Sequence, residues 1–212
     1  EIHDIFLSNI DLVRKQNPNY EIKLWDKSIF LNYLDEIGDT ETKNYFNRLN
    51  PNIYAMLTDY MRYVIIYNMG GTYLDLKSRP RKPLDLIIKP NDKIIFVYTE
   101  NKENNYREYW IGVLISKPKE LLYKLIINHV NNNIENYDKN NIKLYRNKKN
   151  ILNFSGPHTI IKVIDKFNLE NPNYITIQTK EKRLFTLFGI KDYKKYYNAT
   201  YYGNVKEHLV LF

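Results

Sequence analysis

The chain has no cysteine. Disulfides and thiolate metal sites are therefore excluded, and a reducing compartment is permitted. No apolar run approaches the roughly 20 residues that a membrane span needs, and no signal-peptide pattern is present. Internal repeats and low-complexity linkers are also missing. Acidic residues are the minority charge: the formal net charge is +8 and the isoelectric point about 9.3. That balance favours anionic partners such as nucleotides, nucleic acid or acidic glycans. The lysines are scattered, however, and a solvated lysine surface explains them equally well. Only Arg79-Pro80-Arg81-Lys82 and Arg146-Asn147-Lys148-Lys149 form local clusters. No helix-turn-helix or RNA-binding aromatic motif accompanies the charge, so nucleic acid is not an expected partner. The expected location is cytoplasmic, with a luminal or membrane-associated setting, through segments outside this chain, as the alternative.

At 212 residues the sequence reads as a single domain, 1–212, long enough to bury a core. Asn, Lys, Ile and Tyr are used so heavily, with 20 Tyr, that lone Asn or Lys residues carry little weight. The opening Glu1-Ile2-His3 has the character of a helix interior, and the expectation is a chain with upstream sequence missing. Apolar residues at Ile2, Ile5, Phe6, Ile10 and Val13 predict a helix over 2–16. Tyr20–Trp25 alternates like a half-buried strand. Further helices are predicted over 28–37, 40–49 and 53–69, the first capped by Asp26 or Ser28. Gly70 suits a left-handed cap on the third. Buried strands are predicted at Lys93–Tyr98 and Trp110–Ser116, with a loop at 99–107 between them. A helix over 118–134, a loop over 131–150, a helix from Ser155-Gly156-Pro157 to about Phe167 and a strand at Tyr174–Thr179 follow. The tail, 182–212, shows weak strand signals. Strands alternating with helices predict an α/β fold.

The most informative stretch is "TDYMRYVIIYNMGGTYLDLKS", Thr58–Ser78. Asp59 and Arg62 lie three apart and share a helix face, extended by Tyr63 and Ile66. Taken alone the pair is a plain intrahelical ion pair. Alternatively, both polar heads meet a ligand, with Arg62 on a phosphate and Asp59 accepting from sugar hydroxyls. The second glycine of Gly70-Gly71 exceeds what a helix stop needs, and lets backbone approach a ligand or a neighbouring strand. Tyr73 and Asp75 point to one side of the following strand, and Asp75 falls at its C-terminal end, where open α/β sheets bind ligands.

This block resembles the signature of the DXD-containing glycosyltransferases of family 32. Their pattern is an Asp-x-x-Arg-Tyr helix, an apolar run, Gly-Gly-x-Tyr and Asp-x-Asp. Asp59, Arg62, Tyr63, Gly70, Gly71, Tyr73 and Asp75 match it. "NPNYEIKLWD" at 17–26 and "FSGPHTI" at 154–160 resemble flanking segments of the family. The resemblance implies a GT-A-like fold, a Rossmann-type mixed sheet flanked by helices, here without the family's first strand. It also implies a nucleotide-sugar donor (UDP- or GDP-hexose), a glycan or protein hydroxyl acceptor, and retention of anomeric configuration. Asp59 and Arg62 would contact the donor sugar, and Asp75 the metal or ribose. Gly70 and Gly71 would shape the turn beside the donor, and Gly156 and Pro157 would line the pocket.

The departure from the pattern is Lys77, which stands where the family has a second carboxylate for a divalent cation, usually Mn²⁺. An ammonium donates hydrogen bonds and cannot ligate a cation. Three readings stay open. Lys77 stabilises the leaving diphosphate directly, aided by Arg79 or Arg81; or Mn²⁺ or Mg²⁺ still binds through Asp75; or the protein only binds its ligand. His208 is a candidate second metal ligand, against the ordinary reading of a surface histidine, and the expectation is a weak metal site or none. Tyr109 and Trp110 are read either as a sugar-stacking platform or as core. Trp25 is read as core. Asn153-Phe154-Ser155 and Asn198-Ala199-Thr200 are sequons that matter only in a secretory compartment.

Overall fold

A computed structural model describes residues 2–101, 106–138, 148–179, 184–186 and 208–211. The Arg146-Asn147 half of one basic cluster, residues 139–147 of the expected loop, the second sequon and most of the tail lie outside them.

Helices dominate the first third. Helix α1 (Asp4–Gln16) buries Phe6, Asn9 and Ile10. Helices α2 (Lys27–Glu36) and α3 (Thr40–Arg48) each begin at an aspartate whose carboxylate accepts a backbone N–H: Asp26 from Ile29 at 2.8 Å, and Asp39 from Thr42 at 3.0 Å. Such caps satisfy first-turn donors that have no intrahelical partner. Helix α4 (Tyr54–Met69) is apolar on nearly every side, and ten of its residues are buried. A helix hydrophobic all round belongs inside a fold.

The polypeptide leaves α4 through Gly70, turns into β1 (Gly71–Leu74), and continues to the two-residue strand β2 (Arg79–Pro80). Then come β3 (Ile94–Asn101), β4 (Tyr106–Ser116), α5 (Leu121–Glu135), α6 (Lys148–Phe154), α7 (Pro157–Glu170), β5 (Ile175–Thr179) and β6 (Phe185–Thr186). The main sheet has the order β1-β4-β3-β5. β4 runs antiparallel to both β1 and β3, while β3 and β5 are parallel. A mixed sheet with helices against it is the α/β arrangement that the alternation of elements predicts.

The alternating side chains of β3 and β4 divide the interior. Ile94, Phe96 and Leu114 join α4, α5 and α7 in the larger core, together with Phe30, Phe46 and Tyr123. Ile95, Val97, Val113 and Ile115 meet Leu84, Ile87 and Phe185 on the other face. Tyr109 belongs to the larger core, edge-on to Phe96, and Trp110 is half-buried against the smaller one. Trp25 is half-buried against the larger core and edge-on to Tyr33.

Several expectations need correcting. Tyr20–Trp25 is not a strand: its alternation is real, but no described segment pairs with it, and a strand exists only through a partner's hydrogen bonds. The expected loop at 99–107 is instead the continuation of β3 and β4, with 102–105 outside the described residues. The expected loop over 131–150 is shorter at both ends: α5 runs to Glu135 and α6 begins at Lys148. Gly70 has φ 67° but ψ −157°, which is not the left-handed helical cap; it is a backbone region open essentially to glycine alone.

Candidate functional site

The Asp59-x-x-Arg62 pair is not a surface ion pair. Both side chains are at most 8% exposed, and Arg62 Nη2 lies 3.4 Å from Asp59 Oδ1. Arg62 reaches further. Its Nη1 lies 3.4 Å from Asp75 Oδ1 and donates to the Ile111 carbonyl at 2.7 Å. Its Nε donates to the Thr58 carbonyl at 3.0 Å, and Nη2 lies 3.4 Å from the Thr58 hydroxyl. The guanidinium also sits over the Tyr73 ring, 4.9 Å from its centre. A guanidinium has five N–H groups, and here they face five protein oxygens. One buried arginine thus holds two carboxylates from different elements, α4 and the end of β1.

Each carboxylate has further support. Asp59 Oδ2 accepts from the Ser155 hydroxyl at 3.0 Å, and the Ser155 carbonyl accepts from the Tyr63 hydroxyl at 2.8 Å. Asp75 Oδ1 accepts from the Tyr73 hydroxyl at 2.9 Å, and its side chain keeps 24% exposure. Asp75 Oδ2 is backed by Gly112, where an added Cβ would fall 2.7 Å away. Burial pushes the Asp59 carboxyl up to about 6, against the opposing pull of Arg62 and the Ser155 hydroxyl. Burial opposes the charge on Arg62, but Tyr73, Asp75 and Asp59 outweigh it and raise its pKa. The Tyr73 and Tyr63 hydroxyls are raised by burial too, so both stay protonated as donors.

Asp75 also opens a tight turn. The Ser78 N–H donates to its carbonyl at 2.7 Å, which puts Leu76 and Lys77 at the two central positions. Lys77, partly exposed, is thus on the corner immediately beyond the carboxylate.

The remaining expected residues lie apart from this centre. Gly70 and Gly71 begin the strand that Asp75 follows, about 13 Å away at ~3.3 Å per residue. A Cβ at Gly70 would meet the Pro118 nitrogen at 2.6 Å and the Ser116 carbonyl at 2.9 Å, so its close approach is to a neighbouring segment. Gly71, at φ 89°, faces open space. A cavity of about 460 Å³ opens at this end, lined by Tyr20, Gly71, Thr72, Asp85, Lys93 and Lys117 among others. Gly156 and Pro157 begin α7. A Cβ at Gly156 would lie 2.8 Å from the Leu152 Cα, so this glycine serves helix packing, and their neighbour Ser155 is the residue that reaches the Asp59 carboxylate. His208 sits with Tyr137, ring nitrogen to hydroxyl 3.4 Å, and its carbonyl accepts from Asn50. Among the described residues, no three His, Asp or Glu side chains are grouped to hold a metal ion.

Gly112 and the Ile111 carbonyl escaped the sequence reading, which had Ser155 only as part of a helix start. A glycine inside a strand is a signal of close backbone approach, and Gly112 in "WIGVL" carries it.

The fold is GT-A-like, a mixed sheet flanked by helices. A family profile described as "Glycosyltransferase sugar-binding region containing DXD motif" matches residues 6–97. An uncharacterized glycosyltransferase of Acanthamoeba polyphaga mimivirus is 26% identical over 159 residues, covering 74% of this chain and 57% of the relative. The solved structure of the PaToxG glycosyltransferase superposes with a TM-score of 0.57 at 14% identity, over 81% of this chain and 65% of that one. That likeness speaks for the fold. The chain thus spans less than two thirds of either protein's length. The first two matches make part of the chain similar in sequence to DXD-region glycosyltransferases.

Proposed function

We propose that this domain transfers a hexose from UDP- or GDP-hexose to a hydroxyl of a glycan or protein, with retention, as in the family 32 enzymes that its central block resembles. One observation carries the proposal: Asp59 and Asp75 are fixed by a single buried arginine, with Lys77 on the turn immediately beyond. Asp59 and Asp75 accept from hydroxyls of the donor. Arg62 does not touch it, since its donors face protein oxygens, and it serves as a positioning residue for both carboxylates. In the reaction the acceptor oxygen bonds the anomeric carbon as the bond from that carbon to the diphosphate oxygen breaks, and the acceptor's hydroxyl proton passes to the leaving diphosphate. The diphosphate leaves with the electron pair, and the Lys77 ammonium meets its growing charge.

The residues around Asp75 are a poor match for a resident Mn²⁺ or Mg²⁺. Such hard cations collect several oxygen ligands. Among the described residues there is one partly exposed carboxylate here, its Oδ1 engaged by Tyr73 and facing Arg62, with a lysine two residues on. The same lysine gives the second reading, a relative that binds nucleotide-sugar without turning it over.

Incubation with UDP- and GDP-sugars, in Mn²⁺ and in EDTA, separates these. Nucleotide release that persists in EDTA is expected. Release in Mn²⁺ alone removes the role given to Lys77. A thermal shift without turnover, even with acceptors, selects the binding reading, and no response to any sugar nucleotide overturns both.

A further inference from the structure

The segment after Asp75 runs between two partners, and only one of them is a strand. On one side residues 79–81 meet β6: Arg79 and Pro80 pair with Thr186 and Phe185, and the Arg81 N–H donates to the Leu184 carbonyl at 2.8 Å. On the other side even-numbered residues face α1. Asn9 Nδ2 donates to the carbonyls of Leu76, at 2.9 Å, and Ser78, at 3.1 Å. The Gln16 carboxamide, oriented to satisfy both its ends, meets the Pro80 carbonyl at 3.0 Å and the Lys82 N–H at 3.2 Å. Asn17 Oδ1 accepts from the Leu84 N–H at 2.7 Å. Backbone groups of residues 76, 78, 80, 82 and 84 are thus met by two carboxamides of α1, Asn9 and Gln16, and by that of its C-cap residue, Asn17. Asn9 and Gln16 are seven apart, two helical turns, and so share one face of α1. Helix side chains thus do here what an adjoining strand's backbone would do.

Asn9 has the most telling place. It is 4% exposed, and its Oδ1 is buried without a partner. A buried orphan acceptor is costly, and what Asn9 supplies in return is two donors, on the two carbonyls that flank Lys77. We propose that Asn9 is a positioning residue for Lys77: by clamping the Leu76 and Ser78 carbonyls it fixes the turn, and with it the place from which the ammonium meets the donor diphosphate. The clamp itself is independent of chemistry; its consequence for turnover rests on the glycosyl-transfer reading.

Two measurements test this. The first is hydrogen exchange across 76–84 in the wild type and Asn9→Ala. Exchange in that segment should rise tenfold or more, while β3 and β4 keep wild-type protection. Unchanged exchange in 76–84 overturns the clamp. Should Asn9→Ala fail to fold, Gln16→Ala applies the same test at Pro80–Lys82. The second is a double-mutant cycle on nucleotide release. Asn9→Ala should lower kcat about tenfold with donor KM within about twofold, and should lower it no further in a Lys77→Met background. Equal losses in both backgrounds mean that Asn9 acts through general structure, and overturn its link to Lys77. A wild type that releases no nucleotide refutes the transfer reading, while the exchange experiment still decides the clamp.

Discussion

Replacing Asp59 with asparagine tests the buried centre by its pH dependence. Burial raises the Asp59 carboxyl from its ordinary 3.8 to about 6. Between those values the folded state holds a proton that the unfolded state has lost. Stability from this group is therefore fully present below about pH 3.8 and is lost as pH rises through about 6. The gap corresponds to about 3 kcal/mol, at ~1.4 kcal/mol for each factor of ten. Asparagine keeps the shape and an acceptor for Ser155 but does not titrate. Urea unfolding of wild type and Asp59→Asn from pH 3.5 to 7.5 gives a difference that removes all other titrations common to both. Relative to the variant, wild type should lose up to about 3 kcal/mol across that window and then level off. The absolute offset between the proteins is set by the Arg62 contact and decides nothing. A flat difference refutes the burial argument. A difference of opposite sign means that Arg62 dominates and holds the carboxyl below its ordinary range.

Gly112→Ala should push the Asp75 carboxylate out of place, since the new Cβ would fall 2.7 Å from Oδ2; nucleotide release should fall ~100-fold with little change in Tm, and unaltered turnover contradicts the packing argument. Gly70→Ala should destabilise by about 2 kcal/mol or more in urea unfolding, from positive φ and the clash with Pro118. Arg62→Met leaves two carboxylates without their shared cation and should cost about 3–5 kcal/mol in the same assay. Lys77→Asp, which gives this segment the Asp-x-Asp pattern, should make nucleotide release depend on Mn²⁺ and stop in EDTA.

The elements that build the site were legible because their signals are local. The apolar run of α4, the glycine break and the short strand before Asp75 all follow from periodicity and turn chemistry. The three-residue spacing of Asp59 and Arg62 showed a shared face, but not what that face meets. Ile111, Gly112 and Ser155 are brought to it by β4 and by the α6–α7 junction, and long-range placement leaves no periodic trace. Asparagine was discounted as compositional, and this concealed three structural ties. Asn9 and Asn17 hold the segment after Asp75, and Asn50 binds the His208 carbonyl. Tyr20–Trp25 shows the reverse error, an alternation that predicts a strand where no partner strand is described.

The central claim is that a sugar nucleotide seats its diphosphate beside Lys77 and its sugar against Asp59 and Asp75. A crystal structure with bound UDP or GDP sugar, in the presence and absence of Mn²⁺, tests it most directly. The account predicts diphosphate oxygens within hydrogen-bond distance of the Lys77 ammonium, with Arg62 still on its five protein oxygens. Nucleotide found instead in the cavity at Gly71, Lys93 and Lys117 would contradict it.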